Sequence, residues 1–527
     1  MRCVTRDVVD GALLVEFPGL SEQEANASAA ALGRKLISEQ APGVRDAVPG
    51  ARTLLLIFDP ALLDRGAFEE LLKSPKACGA WQPKTVRIPV AYGAGHGPDL
   101  EELARGVGIS PNEFARLHRE ATYQVAFIGF SPGFPYLNGL PERLHSPRLS
   151  SPRPRVPAGS VGIGGPYTGV YPSSTPGGWR LIGNAPVRLF DATASPPALL
   201  SPGDRVLFEE IGEADLLRLR QQLADQRPST LKPTRPPALR VLSAGLCTSV
   251  QGAPRYGLAA SGVPSGGAMD TVALRRGNCA LKNPADAPAL EITLQGPQVE
   301  VLLSARVCIS GADVDAAING RPLSLERVVD VRAGDRLSIG SVRKGARCYL
   351  CIQSGLVDPS ILGEPLTRLQ RGDELCFAEL GNTASGLHEV GDRARPASLR
   401  QTLRVVLGPQ ADRFSQQGKE TFLSSEYRVS AQSDRRGVRL EGPNIESGAP
   451  ADIPPEGTAA GAIQVPGNGL PIVLGPDRPV TGGYAKIATV ISADLPLLAQ
   501  ARPGTLFRFT EVSIEEARAA RSAWVAV

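Results

Sequence analysis

The sequence predicts a mainly β protein with an α+β domain at its N-terminal end. Glycine and proline make up about a fifth of the 527 residues, with 57 Gly and 47 Pro and no strict period. Turn residues at that density, separated by short apolar runs, are typical of many short strands. The start of the chain instead alternates strand and helix patterns, and two distant segments repeat one order of strand and turn signals.

The N-terminal α+β domain is predicted over residues 1–84. Residues 11–17 and 54–58 have strand patterns. Between them, Ser21 is followed three residues later by Glu24, the spacing of a capping box that opens a helix. A helical pattern after the second strand completes a small α+β sandwich.

The remainder is too long for one hydrophobic core, so further domains are expected. Residues 85–225 carry strand patterns between Gly/Pro loops and predict a β-barrel. Residues 226–238 are rich in proline and polar residues, which favours a linker. Residues 239–527 resume the β pattern, and a division near 395–403 is an open alternative.

An internal repeat relates the two halves. The first half contains Ala158-Gly159, Gly177-Gly178-Trp179 and Pro202-Gly203, and the second half contains Ala460-Gly461, Gly482-Gly483-Tyr484 and Pro503-Gly504. Each group precedes a strand pattern, and the last strand of each series precedes a helix. A duplicated closed barrel, one per half, explains this repeat, because closure removes the exposed edges of so many strands.

Charge and hydropathy restrict the function classes. The net charge of +4 is spread along the chain, so nucleic-acid binding is not expected. The longest uncharged stretch, 156–179, is interrupted by Gly and Pro, so no membrane span is expected. The start lacks the pattern of a secretory signal and the eight cysteines are scattered, which predicts a cytoplasmic location.

Two common active-site motifs are absent from the sequence, which has no GxxxxGK[ST] and no HExxH motif. Cys348 and Cys351 form a CxxC pattern within a predicted strand. Such a strand directs the two thiols to opposite faces, so a buried structural pair is expected and no metal site.

One candidate binding region lies in the first half. Phe130, Gly133 and Phe134 belong to a Gly/Pro-rich loop, and Trp179 follows a second glycine pair. Glycine lets the backbone approach a ligand closely, and the rings would supply an apolar wall; packing at a barrel corner is the alternative. His118, near the end of a predicted helix, is a candidate acid or base, with helix capping as the alternative.

A second candidate region lies in the second half. Lys486 follows the Gly482-Gly483 pair in a predicted strand and should point either into the barrel or to solvent. An inward ammonium could neutralise a phosphate or a developing oxyanion, with Asp477 orienting it or acting as base. Arg255 suits a planar anion and Asp270 a metal or an amide N–H, although a salt bridge between domains explains both.

The two halves resemble two known families. The first half resembles the B-type subunit of 5-oxoprolinase, also called KipI-like or allophanate hydrolase subunit 1, and the second resembles the C-type subunit, the KipA-like or allophanate hydrolase subunit 2 family. The stretches that carry the first resemblance are YQVAFIGFSPGFPYL (123–137), PRPRVPAGSV (152–161) and GGWRLIG (177–183). Those that carry the second are GVPSGGAMD (262–270), LE (290–291), GPQ (408–410), GAIQVP (461–466) and TGGYAKIA (481–488).

The resemblance implies a ferredoxin-like N-terminal domain followed by cyclophilin-like β-barrels. It also implies hydrolase activity in a complex with a separate A-type, LamB/YcsF-like subunit. That complex would open 5-oxoproline, or a related lactam or ureide, to glutamate with ATP and its accompanying Mg²⁺. Gln464 and Tyr484 lie in the quoted stretches and are implied substrate contacts.

Two other functions are compatible with the same resemblance. KipI/KipA-like proteins also include regulators that bind and inhibit a sensor histidine kinase. Related modules occur in urea carboxylase, where they serve a carboxyltransferase reaction; this chain has no Met-Lys-Met sequence for biotin attachment and would need that group from a partner.

Overall fold

The structure is a computed structural model that describes residues 3–73, 82–93, 95–225, 235–357, 368–378 and 399–525. Four bodies follow one another: an α+β domain, a closed barrel, a nine-stranded sheet and a second closed barrel. The predicted fold class, mainly β with an N-terminal α+β domain, is confirmed. Residues 226–234 of the predicted linker and 395–398 of the predicted division lie outside the described residues.

The N-terminal domain contains β1 (Val4–Val9), β2 (Ala12–Glu16), α1 (Glu22–Ser38), β3 (Val44–Pro49), β4 (Thr53–Phe58) and α2 (Arg65–Lys73). Its sheet order is β1-β2-β4-β3, and all neighbouring pairs are antiparallel. This is the order of a ferredoxin-like sheet whose last strand has moved to the front, giving ββαββα in place of βαββαβ. The predicted capping box is present: Ser21 Oγ accepts from Glu24 N, and the Glu24 carboxylate accepts from Ser21 N.

Both faces of the N-terminal sheet are buried. Side chains alternate between the faces of a strand, so Leu13 and Leu14 of β2 point to opposite sides. Leu13 packs with residues of the two helices, whereas Leu14 packs with Ala459 and Val480 of the second half. The second half therefore covers the sheet face that the helices leave open.

The first barrel is built around a single apolar core. Its elements are β5 (Thr85–Tyr92), α3 (Leu100–Gly106), α4 (Pro111–Glu120), β6 (Tyr123–Ile128), β7 (Pro135–Asn138), β8 (Arg153–Val156), β9 (Ser160–Gly164), β10 (Tyr167–Val170), β11 (Thr175–Gly177), β12 (Arg180–Asn184), β13 (Arg205–Glu210) and α5 (Glu213–Asp225). Helix α4 begins where predicted, because Ser110 accepts from Glu113 N and Pro111 occupies the first turn.

The nine-stranded sheet was not distinguished from the second barrel at the sequence level. Its elements are β14 (Leu239–Ser243), β15 (Cys247–Gln251), α6 (Thr271–Ala280), β16 (Ala289–Thr293), β17 (Gln298–Val301), β18 (Ala305–Ile318), β19 (Arg321–Pro322), β20 (Val329–Val331), β21 (Arg336–Ile352) and β22 (Glu374–Leu375). Cys348 and Cys351 of β21 are buried and pack in two different apolar clusters. The two thiols therefore lie on opposite faces of the strand.

The second barrel repeats the first strand by strand. Its elements are β23 (Arg400–Leu407), α7 (Gln416–Ser424), β24 (Tyr427–Val429), β25 (Gly437–Glu441), β26 (Asp452–Gly457), β27 (Ala462–Gln464), β28 (Ile472–Leu474), β29 (Thr481–Tyr484), β30 (Lys486–Val490), α8 (Leu495–Ala499), β31 (Leu506–Glu511) and α9 (Ile514–Val525). The first barrel closes as β10-β7-β6-β13-β5-β12-β9 and the second as β28-β25-β24-β31-β23-β30-β27. In each, the first strand pairs in parallel with the last, and a two-stranded sheet, β8–β11 or β26–β29, lies outside the barrel. The predicted duplication is confirmed.

His118 lies in the core of the first barrel, fully buried. Its Nδ1 is 2.8 Å from the hydroxyl of Tyr92 and its Nε2 is 2.9 Å from Oγ1 of Thr168. The Thr168 hydroxyl donates to the Gly162 carbonyl, so it accepts from Nε2–H, and the neutral ring satisfies both neighbours. Burial lowers the pKa of His118 to about 3. The expectation that His118 faces the aromatic loop as an acid or base is therefore not supported by its position.

Among the described residues, no helix combines the length and the apolar character that crossing a bilayer requires.

We predict that Gly457→Ala loosens the packing of the N-terminal domain on the second barrel. A Cβ at this position would lie 2.5 Å from Leu55 Cβ and 3.1 Å from Val48 Cβ. Overpacking of this kind lowers the free energy of unfolding by about 1–3 kcal/mol. The melting temperature in thermal denaturation measures this loss of stability. Gly467→Ala on the same barrel is the control, since a Cβ there meets nothing within 4 Å; equal melting temperatures for both variants would contradict the close packing.

We also predict a pH dependence of stability from His118. Its folded pKa is depressed below that of the unfolded chain, so the unfolded state binds the proton first and stability falls as the pH drops below about 6.5. For one such group, the free energy of unfolding changes by about 1.4 kcal/mol per pH unit. Chemical denaturation at several pH values should show that the free energy of unfolding depends less steeply on pH in His118→Gln than in the unmodified protein. An unchanged slope in His118→Gln would show that other groups cause the pH dependence.

Candidate functional site

The strongest candidate site is a group of buried polar residues on the outside of the second barrel. We call it the lysine cluster and define it as Lys486, Glu456, Gln410 and Gln464. Lys486 and Gln464 are paired residues of the neighbouring strands β30 and β27. The two-stranded sheet β26–β29 lies over them and supplies Glu456.

The strand pattern explains how Lys486 is buried. Its neighbours Ala485 and Ile487 belong to the apolar core of the second barrel, so Lys486 points to the opposite, outer face. The side chain is nevertheless only 2% exposed. The structure therefore corrects the expectation of a lysine inside the barrel or in solvent: Lys486 lies between the barrel wall and its covering sheet.

An ion pair balances the buried ammonium. Lys486 Nζ is 2.6 Å from Glu456 Oε1, and the Glu456 side chain is 8% exposed. Gln410 Nε2 donates to the same Oε1 at 2.8 Å, while Gln410 Oε1 accepts from Lys486 N at 3.3 Å. Desolvating two charges is costly, so a pair of this kind persists only when further hydrogen bonds support it. Gln410 supplies that support for the carboxylate.

Other polar atoms of the lysine cluster are buried without a hydrogen-bond partner. Among the described residues, Lys486 Nζ has no hydrogen-bond acceptor in good geometry beyond its ion pair, and Gln464 Nε2 has no hydrogen-bond partner. Gln464 is 7% exposed. Buried polar groups in folded proteins are nearly always paired with protein atoms or ordered water. Incompletely satisfied donors on two paired residues indicate a place where a polar ligand or water binds.

Three bodies meet at the lysine cluster. The turn between β3 and β4 lies against β26, where Ala51 N donates to Pro455 O at 2.7 Å. A Cβ on Gly50 would lie 2.7 Å from Glu456 Cα. From the first barrel, Gly129 lies against the Thr481 side chain on the other face of the sheet β26–β29, with no room for a Cβ. Residues of both halves therefore hold this sheet over the site.

The equivalent place on the first barrel has different chemistry. Leu181 pairs with Gly162 there, as Lys486 pairs with Gln464 on the second barrel. Leu181 belongs to an aromatic cluster under the sheet β8–β11, and Trp179 fills the space above Gly162. The duplicated position thus retains a polar site only in the second half.

The predicted aromatic residues are brought together in that apolar cluster. Phe134 and Trp179 are buried, with ring centroids 5.2 Å apart. Phe130 packs against Phe134 but remains 38% exposed. Both Phe130 and Gly133 have positive φ angles, 63° and 76°, which turn the loop sharply. This geometry favours the packing alternative for Phe134 and Trp179, and only Phe130 presents a ring surface to solvent.

Asp477 is not brought to Lys486. Its carboxylate accepts two hydrogen bonds from Arg435, at 2.8 and 3.0 Å. Arg435 is buried and also donates to Glu291 at 2.7 Å. Although burial alone would raise the pKa of Glu291, Arg435 and Arg347 hold it below its usual range. Asp477 therefore belongs to an ionic network between the second barrel and the nine-stranded sheet.

Asp270 and Arg255 lie near that network, whereas Tyr484 lies apart from it. Asp270 caps α6 by accepting from Ala273 N at 2.9 Å, and its other oxygen accepts from Gln500 at 2.7 Å. The Arg255 guanidinium lies beside Gly266, close to Asp477. Tyr484 is half-buried on β29 beside Asp452. Within the described ranges Asp270 has no ion pair, so a hydrogen bond from Gln500 of the second barrel takes the place of the expected salt bridge between domains.

Sequence reasoning missed Glu456 as the partner of Lys486. The available signal was physical: a buried lysine requires an acidic neighbour, and in a barrel that neighbour comes from an adjacent or covering strand. Gln410 lies in the quoted GPQ stretch but was given no role. No described group of three or more His, Cys, Asp or Glu side chains is arranged to hold a metal ion.

Comparison with known families covers both halves. The family model "Carboxyltransferase domain, subdomain C and D" matches residues 3–200 and "Carboxyltransferase domain, subdomain A and B" matches residues 261–511. The B-type subunit of 5-oxoprolinase from Bacillus subtilis is 39% identical over 220 residues, 39% of this chain and 92% of that protein. The C-type subunit of 5-oxoprolinase from Escherichia coli is 33% identical over 298 residues, 54% of this chain and 94% of that protein.

A solved structure has the same arrangement of both halves. The crystal structure of TTHA0988 superimposes with a TM-score of 0.81 at 33% identity, covering 96% of this chain and 100% of that one. The chain therefore belongs to the carboxyltransferase-domain family of the B-type and C-type 5-oxoprolinase subunits, with the B-type half preceding the C-type half in one polypeptide.

Proposed function

We propose that this chain is the B–C component of an ATP-dependent 5-oxoprolinase. It would act with a separate A-type, LamB/YcsF-like subunit and open 5-oxoproline, or a related small lactam or ureide, to the amino acid. Family membership of both halves supports this assignment. The observation that carries the location of the chemistry is the lysine cluster, where a buried ion pair adjoins the unpaired amide nitrogen of Gln464.

The lysine cluster suits activation of an amide carbonyl. Attack on a lactam, or transfer of a phosphoryl group to its oxygen, places negative charge on that oxygen. Lys486 Nζ and Gln464 Nε2 are donors in a water-poor site, where a fixed positive charge stabilises an oxyanion more strongly than in water. Glu456 fixes the position of the ammonium through its 2.6 Å contact.

ATP and its accompanying Mg²⁺ stay part of the proposal. The chain has no GxxxxGK[ST] loop, so the nucleotide would be held jointly with the A-type subunit. Within this chain, Lys486 is the cluster's only cation and the group that would meet a transferred phosphoryl group. ATP would supply the driving force for opening a stable ring amide.

We predict that Lys486→Met abolishes turnover. Loss of one donor to a developing oxyanion lowers the rate by at least about a hundredfold. The measurement is 5-oxoproline-stimulated release of phosphate and glutamate by this chain reconstituted with its A-type subunit. Lys344→Met, at an exposed position on β21, is the matched control and should keep full activity.

A double variant separates catalysis from folding. Lys486→Met alone leaves Glu456 buried and uncompensated, a loss of about 3–5 kcal/mol of stability, whereas Lys486→Met with Glu456→Leu replaces both charges by apolar groups and should be nearly neutral. We expect the double variant to melt near the wild-type temperature and still lack turnover. A stable double variant with wild-type turnover would refute the catalytic role of the pair.

A carboxyltransferase reaction is the second candidate, favoured by the descriptions of both matching family models. It would use the same donors to stabilise an oxyanion on the acceptor amide, with carboxybiotin supplied by a partner. The test is consumption of free N-carboxybiotin by this chain in the presence of urea or 5-oxoproline. Consumption that disappears in Lys486→Met would favour this reaction, and none in either protein would exclude it. The histidine-kinase partner and the cytoplasmic location stay predictions.

A further inference from the structure

A cleft of about 450 Å³ lies between the N-terminal domain and the second barrel, beside the region where the two pack together. It adjoins the lysine cluster. The N-terminal side is formed by β1, β2 and the start of β4, and the barrel side by β26 and the segment after β23. Gln410 and Glu456 belong both to the lysine cluster and to the wall of this cleft. Arg6, Glu16, Arg52, Thr53 and Arg413 also line it.

The charges of the cleft leave two guanidinium groups unbalanced. Arg6 pairs with Glu16 at 2.8 Å, and Glu456 pairs with Lys486 at 2.6 Å. Arg52 donates to the Leu20 carbonyl at 3.0 Å and Arg413 donates to the Pro450 carbonyl at 2.8 Å. Within the described ranges of the chain, Arg52 and Arg413 have no carboxylate partner, so the cleft has a net positive lining.

Two buried polar atoms in the same cleft lack hydrogen-bond partners among the described residues. They are Nε of Arg413 and Oγ1 of Thr53, whose residue is 8% exposed. Burying a donor without a partner costs free energy, because its hydrogen bonds to water are lost and not replaced. This cost is greatest for a donor on a charged group. The guanidinium groups of Arg52 and Arg413 each donate one hydrogen bond to a backbone carbonyl. Their remaining N–H groups are available, so they favour a ligand that accepts several hydrogen bonds.

We propose that this cleft binds the oxyanion group, a carboxylate or a phosphate, of a small ligand through Arg413, Arg52 and Thr53. Guanidinium forks match the two oxygens of such groups. The cleft volume is in the range of small-molecule sites, about 300–1,000 Å³. The proposal does not require the reaction proposed above, but it would place the anionic end of a ligand beside Glu456 and Gln410, at the edge of the lysine cluster.

The test is isothermal titration of the full chain, without any partner subunit, with inorganic phosphate and separately with L-5-oxoproline. We expect at least one anion to bind, and the one that binds distinguishes a phosphate from a carboxylate ligand. Arg413→Gln should weaken that binding about tenfold or more, because hydrogen bonds to a charged group are lost. Arg52→Gln, at an exposed position that leaves folding intact, should weaken it as well.

Arg428→Gln, an exposed arginine on β24 of the same barrel, is the control and should bind with unchanged affinity. Binding of neither anion, or binding that neither Arg413→Gln nor Arg52→Gln weakens, would overturn the inference. Because the chain is titrated alone, this outcome is independent of turnover: anion binding with no 5-oxoprolinase activity would reject the proposed function and keep the anion site.

Discussion

The burial of Lys486 against Glu456 is the constraint on which the arrangement of the site depends. Two charges 2.6 Å apart and shielded from water are stable only while their surroundings stay closed. That closure comes from separate parts of the chain: the covering sheet β26–β29, the turn at Gly50 of the N-terminal domain and the loop at Gly129 of the first barrel. The B-type and C-type halves are thus packed as one unit around the pair.

Duplication of the barrel, followed by divergence, explains why one half carries the polar site. The nine strands of each repeat correspond in order and pairing, so the same position exists twice. In the first barrel it is filled by Leu181 and the ring of Trp179, and in the second by Lys486 and Gln464. Aromatic filling leaves the first barrel an apolar surface there, and its loop at Gly129 packs against Thr481 of the sheet that covers the polar site of the second barrel.

Local patterns predicted the fold well. Turn chemistry, capping boxes and the glycine-marked repeat depend on neighbours in sequence, and they correctly indicated the α+β domain and both barrels. Burial of the N-terminal sheet on its second face was missed, although the continuous apolar run 12–15 in β2 is typical of a strand covered on both sides. The nine-stranded sheet was merged with the second barrel because both share the same short-strand pattern.

The site was harder to predict because its contacts depend on strand pairing. The sequence marks Lys486 as a candidate residue and suggests Asp477 as its partner, because the two are close in sequence. The pairing of β26 with β29 brings Glu456 there instead, and Asp477 is held by Arg435. His118 was selected as a rare residue at a helix end, whereas its full burial follows from long-range contacts with Tyr92 and Thr168.

A structure of the chain crystallised with L-5-oxoproline tests the central claim most directly. The account predicts a ligand with its ring carbonyl oxygen within hydrogen-bond distance, about 2.7–3.2 Å, of Lys486 Nζ or Gln464 Nε2. The now unpaired Gln464 amide nitrogen would then have a partner. A ligand bound against the aromatic cluster of the first barrel or in the Arg435 network, with only water beside Lys486, would contradict it.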